Sequence, residues 1–259
     1  MVNDITLPTF ERHQRILEQL TLRGFIRVKD LAPALGVHEM TVRRDLDALA
    51  EQGLVSRLRG GARIAEQASH EIAYHLRSAS NTESKARIAR AALELIQDGD
   101  TVALDASTTV LALAKILGSR SVQAIVSSLD AANVLASQNV PFTFIGGTFN
   151  PSARSFVGPL ATSALARLHA DKAFFSAKGV TVQSGFTDAN LLEVESKEQL
   201  VKSAQMVIAL IDHSKFGKQA LTSIVGLDQT DVLITDRRPD AEMLQALENA
   251  DVRLIVAQE

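Results

Sequence analysis

The chain has 259 residues, a net charge of −3 and a pI near 6.1, with 46% of its residues apolar and 22% charged. That is enough apolar material for one large core or two smaller ones, and too much for a disordered chain. Without cysteine, the sequence excludes disulfides, thiol catalysis and cysteine-ligated zinc, and no segment of it calls for a metal or a cofactor.

The opening residues MVNDITLPTFERHQ lack the basic start and apolar middle of a signal peptide. The apolar runs are too short to span a bilayer, so a cytoplasmic protein is expected. Charge is unevenly spread: residues 1–65 carry ten Lys/Arg against eight Asp/Glu, although the whole chain is acidic. Between Gly53 and Arg63 there are three arginines and no acid.

A first helix is predicted to open with Thr9 as its cap and run to Gly24, with Ile16, Leu17 and Leu20 as its apolar stripe. FIRV is a short extended link. VKDLAPALG predicts a second helix, with Leu31 and Leu35 one turn apart and Pro33 early enough to be tolerated. GVHE makes a tight turn into a third helix over Glu39–Gln52. At helical pitch Val42, Leu46 and Leu49 face inward, Met40, Arg44 and Asp47 face outward, and Thr41 and Arg43 lie on the flanks.

Two helices joined by a short turn containing a glycine make a helix-turn-helix, whose second helix enters the DNA major groove. Arginines on its outer face can meet guanine or phosphate with a planar fork of donors. LVSRLRGGARI then predicts a hairpin turning at Gly60-Gly61, both expected at positive φ, with Arg57, Arg59 and Arg63 beside it. A basic hairpin directly after a helix-turn-helix is a winged helix. Met40, Thr41, Arg43, Arg44, Asp47, Arg57, Arg59, Gly60, Gly61 and Arg63 are therefore the expected DNA-facing set.

These residues carry a family resemblance. RHQRILEQLTLRGFIRVKDLAPALGV followed by TVRRDLDALAEQGLVSRLRGGA resembles the N-terminal domain of the DeoR family of bacterial transcription regulators. His38 stands where that family most often has serine as the cap of the recognition helix, so a frayed start costing up to ~1 kcal/mol is expected.

The winged helix is assigned to 9–65 and a polar linker to 66–81, with a larger domain over 82–259. There, short apolar runs (TVALD, VQAIVSS, PFTFIGG, KAFFSAKGV, MVIALID, VLITD, RLIVA) alternate with helical patterns over 82–96, 108–118, 130–137, 189–204 and 240–250. That alternation predicts an α/β domain with a mostly parallel sheet. Ligands of such sheets bind at the carboxyl ends of strands. Asp105, Ser107, Thr108 and Thr109 follow one strand, where they can cap a helix or cradle an anion. Gly146 and Gly147 follow another, as a turn or as backbone open to a ligand. Asp212 and Lys215 follow a third. Together they point to a pocket for a small, polar, anionic ligand.

The resemblance extends over this half, through DGDTVALDASTT, FIGGTFN, SFVGPLA, DKAFFSAKGV, GFTD, SKEQLVKSA and IDHSKFG. It implies a sensor domain akin to ribose-5-phosphate isomerase that detects phosphorylated sugars or related metabolites. Residue by residue, it implies a phosphate-binding turn at Asp105, Ser107, Thr108 and Thr109, with Gly146 and Gly147 beside it. Lys197, Asp212 and Lys215 match other polar positions around the family's pocket. Lys178 departs from the family's smaller or acidic residue and would suit a sugar acid or its phosphate; a lysine turned to solvent fits the sequence equally well.

The expected function is thus a repressor of a carbohydrate-use operon that binds operator DNA as a homo-oligomer and is released by its effector. An isomerase would need an acid/base pair that the sequence does not specify. An architectural DNA binder would leave the α/β half without a purpose.

Overall fold

A computed structural model describes residues 7–65 and 68–258, except for the side chains of 69–71. The extreme N-terminus and positions 66–67 of the expected linker lie outside the described residues. The chain divides into two compact units between Ser80 and Asn81. Among the described residues, no helix is long and apolar enough to cross a membrane.

The first unit is built from α1 (Thr9–Arg23), β1 (Phe25–Arg27), α2 (Val28–Leu35), α3 (Glu39–Glu51), β2 (Val55–Leu58), β3 (Gly61–Ile64) and α4 (Ser69–Ala79). Thr9 is the first helical residue rather than the cap. Pro8 occupies the cap position and gives no side-chain bond. Ile16, Leu20, Leu31, Val42, Leu46 and Leu49 form the core, all fully buried. Residues 69–79 are not linker but helix, and Ile72 on α4 joins this same core.

The three strands pair antiparallel in the order β1-β3-β2, with Leu58 opposite Gly61 across a two-residue turn. Arg59 and Gly60 make that turn, so the expected pair of positive-φ glycines reduces to Gly60, at φ 78°. Gly61 is needed for space instead. A Cβ there would lie 2.2 Å from the carbonyl oxygen of Ile26 on β1, its neighbour in the sheet.

One buried ion pair crosses this core. The Arg12 guanidinium on α1 grips Asp45 on α3 through Nε at 2.5 Å and Nη2 at 2.7 Å. Both side chains are more than nine-tenths buried. Arg12 Nη1 also donates to the Leu7 carbonyl at 2.8 Å, and His13 Nε2 lies 3.2 Å from Asp45. The fork matches the carboxylate geometry and fixes how α3 is rotated about its own axis against α1.

The second unit comprises α5 (Thr82–Leu93), β4 (Thr101–Leu104), α6 (Thr108–Ala114), β5 (Gln123–Val126), α7 (Leu129–Ser137), β6 (Phe142–Phe144), β7 (Thr148–Asn150), β8 (Ser155–Val157) and α8 (Pro159–Leu165). There follow β9 (Ala170–Phe175), β10 (Gly179–Thr181), β11 (Gly185–Asp188), α9 (Leu191–Lys202), β12 (Ala204–Leu210), β13 (Thr222–Val225), β14 (Val232–Thr235), α10 (Ala241–Asn249) and β15 (Arg253–Val256).

Seven strands form one parallel sheet in the order β15-β14-β12-β9-β4-β5-β6. Alternate residues feed opposite layers, as the two-residue period requires. Leu104, Val126, Phe174 and Ile234 pack with α5, α6 and α7. Phe175 and Leu233 pack with α9 and α10, while Ala103 and Ala173 pack with α8. The run at 172–180, expected as one strand, breaks after Phe175. β10 leaves the main sheet for a small antiparallel one, β10-β11-β13, and β7 and β8 make a separate hairpin.

Two substitutions test the first unit. Arg12→Met should cost about 3 kcal/mol in thermal or urea unfolding, because it leaves Asp45 buried beside a single histidine. Gly61→Ala should cost about 1–3 kcal/mol by forcing β1 and β3 apart. A melting curve indistinguishable from the parent's in either case would show that the contact carries no stability.

Candidate functional site

The outer face of α3 is where the sequence places it. His38 caps the helix through Nδ1, which accepts the Met40 N–H at 3.2 Å, so this histidine does the work expected of a serine. Met40 is 55% exposed, Thr41 is half-buried, and Arg43 and Arg44 project into solvent. Arg43 leans on Glu39 one turn back at 3.5 Å, an exposed contact that a phosphate would readily replace.

The other half of the expected DNA-facing set divides. Arg59 and Gly60 are exposed at the hairpin tip, and Arg63 is exposed on β3, while Gly61 is buried. Arg57 instead reaches back to Asp47 on α3, with Nε 3.0 Å from its carboxylate. That pair ties the hairpin to the recognition helix, a role for which residue type and spacing gave no sign.

In the second unit, the polar residues lie at the carboxyl ends of adjacent strands, but their side chains are largely turned inward. Asp105, just beyond β4, is 3% exposed. It accepts the Ser107 N–H at 2.8 Å and the Ser176 N–H, beyond β9, at 3.0 Å. Ser107 caps α6 by accepting the Val110 N–H at 3.2 Å. Thr109 is buried and Thr108 half-buried on the same turn.

Lys197 of α9 sits under this turn. Its ammonium lies 3.3 Å from Asp105 and 3.0 Å from Asp188, and it donates to the Ser176 carbonyl at 2.8 Å. Burial disfavours its charge, but Asp105, Asp188 and Glu193 outweigh that and hold the lysine above its ordinary value. The same balance holds the Asp188 carboxyl below the usual range: burial would raise it, while Lys197 and Lys178 lower it. Lys178, half-buried after β9, thus belongs electrostatically to this cluster.

Glu193, Asp188, Asn150 and Ser155 were not foreseen. Glu193 accepts from Ser155 Oγ and from Asn150 Nδ2 at 2.7 Å, joining α9 to the β7–β8 hairpin. Gly146 is exposed after β6, with open space where a Cβ would stand. Gly147 is not open: a Cβ there would meet the Val157 carbonyl oxygen at 2.6 Å.

Asp212, beyond β12, belongs to a second group. It accepts from Ser214 and from Asn81 Nδ2 at 3.0 Å, in the turn that holds Lys215. Beside it Asp236 accepts from His213 N and Nδ1, both at 2.7 Å. Burial works against the Asp236 charge, but hydrogen bonds from Ser84 and His213 keep its pKa below the usual range. No group of His, Asp or Glu able to hold a metal ion occurs among the described residues.

The DeoR-like helix-turn-helix domain matches residues 12–68, and the DeoR C-terminal sensor domain matches residues 80–237. The HTH-type transcriptional regulator YulB of Bacillus subtilis (strain 168), itself uncharacterized, is 35% identical over 94% of this chain and 95% of its own. The HTH-type transcriptional regulator GolR of Listeria innocua is 33% identical over 96% and 99%, respectively. A putative aga operon transcriptional repressor of Escherichia coli O157:H7 is 32% identical over 97% and 95%. Among solved structures, ribose 5-phosphate isomerase A of Methanocaldococcus jannaschii aligns with a TM-score of 0.40 and 20% identity over 53% of this chain and 55% of that one. Two family domains in their proper order, with relatives matching end to end, establish that the chain belongs to the DeoR family of DNA-binding transcription regulators.

Proposed function

We propose that this regulator represses a carbohydrate-use operon in the cytoplasm and releases its operator when a phosphorylated sugar or sugar acid binds at the strand ends of the second unit. The observation that carries the reading is the outward projection of Arg43 and Arg44 from a helix whose inner face is clamped by Arg12 and Asp45. Names of relatives support the carbohydrate theme: the aga operon repressor already mentioned, and a glycerol-3-phosphate regulon repressor of Escherichia coli (strain K12), 28% identical over 94% of this chain.

In this reading Met40, Thr41, Arg43 and Arg44 meet base edges and phosphates in the major groove, while Arg59, Gly60 and Arg63 meet the backbone beside it. Asp47 and Arg57 hold the hairpin at its angle to the helix. Effector phosphate is cradled by the amides and hydroxyls of the 105–109 turn with Gly146 alongside, and Lys178 supplies a cation toward an acidic sugar. Lys197 acts through Asp105, by fixing the turn. Lys215 and Asp212 form the neighbouring wall. The protein acts as a homodimer or a larger even assembly on two half-sites, with no cofactor.

Arg44→Ala should weaken operator binding by about 1–3 kcal/mol and relax base preference at one position. Arg59→Ala should weaken binding to every sequence and lower the salt slope by about one. Gel-shift titrations over a range of salt read both, and the reverse pattern would exchange the two assignments. A thermal-shift screen of sugar phosphates, sugar acids and neutral sugars tests the sensor. A true effector at a hundred times its Kd should add ~2.7 kcal/mol, and binding of neutral sugars alone would overturn the anionic-ligand reading.

A further inference from the structure

At the carboxyl end of β14 two arginines converge on one carboxylate that is already occupied. Asp236 follows the strand, and its side chain is fully buried. His213 N donates to one of its oxygens and His213 Nδ1 to the other, each at 2.7 Å, and Ser84 on α5 adds a further hydrogen bond. Arg87 Nη2 and Arg237 Nε stop at 3.8 and 3.9 Å from one of these oxygens, beyond hydrogen-bond reach.

Neither arginine is spent elsewhere. Among the described residues, no second carboxylate lies within ion-pair distance of either guanidinium. Arg87 comes from α5 with its side chain only 14% exposed, and its Nε is buried without a hydrogen-bond partner. A buried donor of that kind carries the full cost of its lost hydration until an acceptor meets it. Arg237 is 67% exposed, so the cluster opens to solvent. Two guanidinium charges around one carboxylate leave an excess of positive charge, and an oxyanion is the group that answers it.

We propose that Arg87 and Arg237 form a second anion-binding site of the sensor unit, which takes a phosphate or carboxylate group between their two guanidinium forks. Both forks approach the same oxygen of Asp236, so one phosphate accepting bonds of about 2.8 Å at two of its oxygens reaches both. Asp236 holds the arginines near each other without using up their donors, and His213 and Ser84 hold Asp236. The site is distinct from the 105–109 turn. β12 and β9 lie between β14 and β4, which at ordinary strand spacing sets the two sites about 14 Å apart at the same end of the sheet. A ligand with an acidic group at each end could fill both, and a free phosphate could fill this one alone.

Arginine Nε–H peaks in two-dimensional NMR of the full chain read the site directly. Loss of a peak in Arg87→Lys or in Arg237→Lys identifies each one. Inorganic phosphate, added at constant ionic strength, should move both peaks along one saturating curve, and chloride should move neither. Arg237→Gln, at an exposed residue, keeps the fold and should weaken the phosphate response of the Arg87 peak roughly tenfold. Should Arg87→Lys fail to fold, the Arg237 peak decides alone. Phosphate that leaves the arginine peaks in place, or acts on Arg87 equally well in Arg237→Gln, overturns the proposal. The Ser107 amide reports the 105–109 turn in the same spectra, so its movement alone supports that turn as the effector site and overturns the second one. Phosphogluconate, a sugar acid with a phosphate at its far end, separates the two sources of the anion. If it saturates the Ser107 and arginine peaks together, at a lower concentration than inorganic phosphate requires, the site belongs to one two-headed effector. If inorganic phosphate saturates the arginines at the lower concentration, the site takes a free oxyanion.

Discussion

The grip of Arg12 on Asp45 is the contact on which the DNA-binding unit depends. A recognition helix is useful only if its outer residues point in one direction, and apolar packing alone tolerates small rotations and slips. A buried carboxylate held by two donors of a planar guanidinium tolerates neither. With Val42, Leu46 and Leu49 pressed into the core and Asp45 fixed among them, the outward direction of Arg43 and Arg44 is set. His38 and the Arg57–Asp47 pair add two further constraints, at the start of the helix and on the hairpin beside it.

The sensor unit uses the same device with the signs exchanged. Here a single buried lysine lies among three carboxylates, from the turn after β4, from β11 and from α9. Burial makes each of these charges costly alone, so all must be paired at once. The result is a rigid floor beneath the 105–109 turn and a connection through Glu193 to the β7–β8 hairpin. The floor fixes the backbone of that turn and the start of α6.

How much of this could be read in advance depended on whether a residue obeys or breaks its periodicity. The inward face of α3, the turn at Gly60 and the alternation of strands and helices follow apolar spacing, and they were legible. Asp45 was legible in principle: it falls on the same stripe as Val42 and Leu49, just as Arg12 lies one turn before Ile16, and a charge on an apolar stripe signals a buried partner. Helix α4 escaped because its inward positions, such as Ile72 and Leu76, sit among polar neighbours in a short segment. The three-residue strands β7, β8 and β10 are too brief for a period of two to register. Lys197 was expected at the pocket from the family resemblance alone; the inward face of α9 also carries Glu193 and Ser196, so no apolar stripe marks the lysine as buried. Of the carboxylates that hold it inward, Asp105 is remote in sequence, and no local pattern encodes that contact.

The orientation of α3 is therefore the claim to press hardest. The most direct measurement is operator affinity of the Arg12→Lys chain, taken well below its melting transition so that the folded state is compared with the parent's. Lysine keeps the charge but cannot make the fork. If the clamp sets the direction of the recognition helix, affinity should fall by roughly tenfold or more, about 1.4 kcal/mol; an operator affinity equal to the parent's would contradict the account.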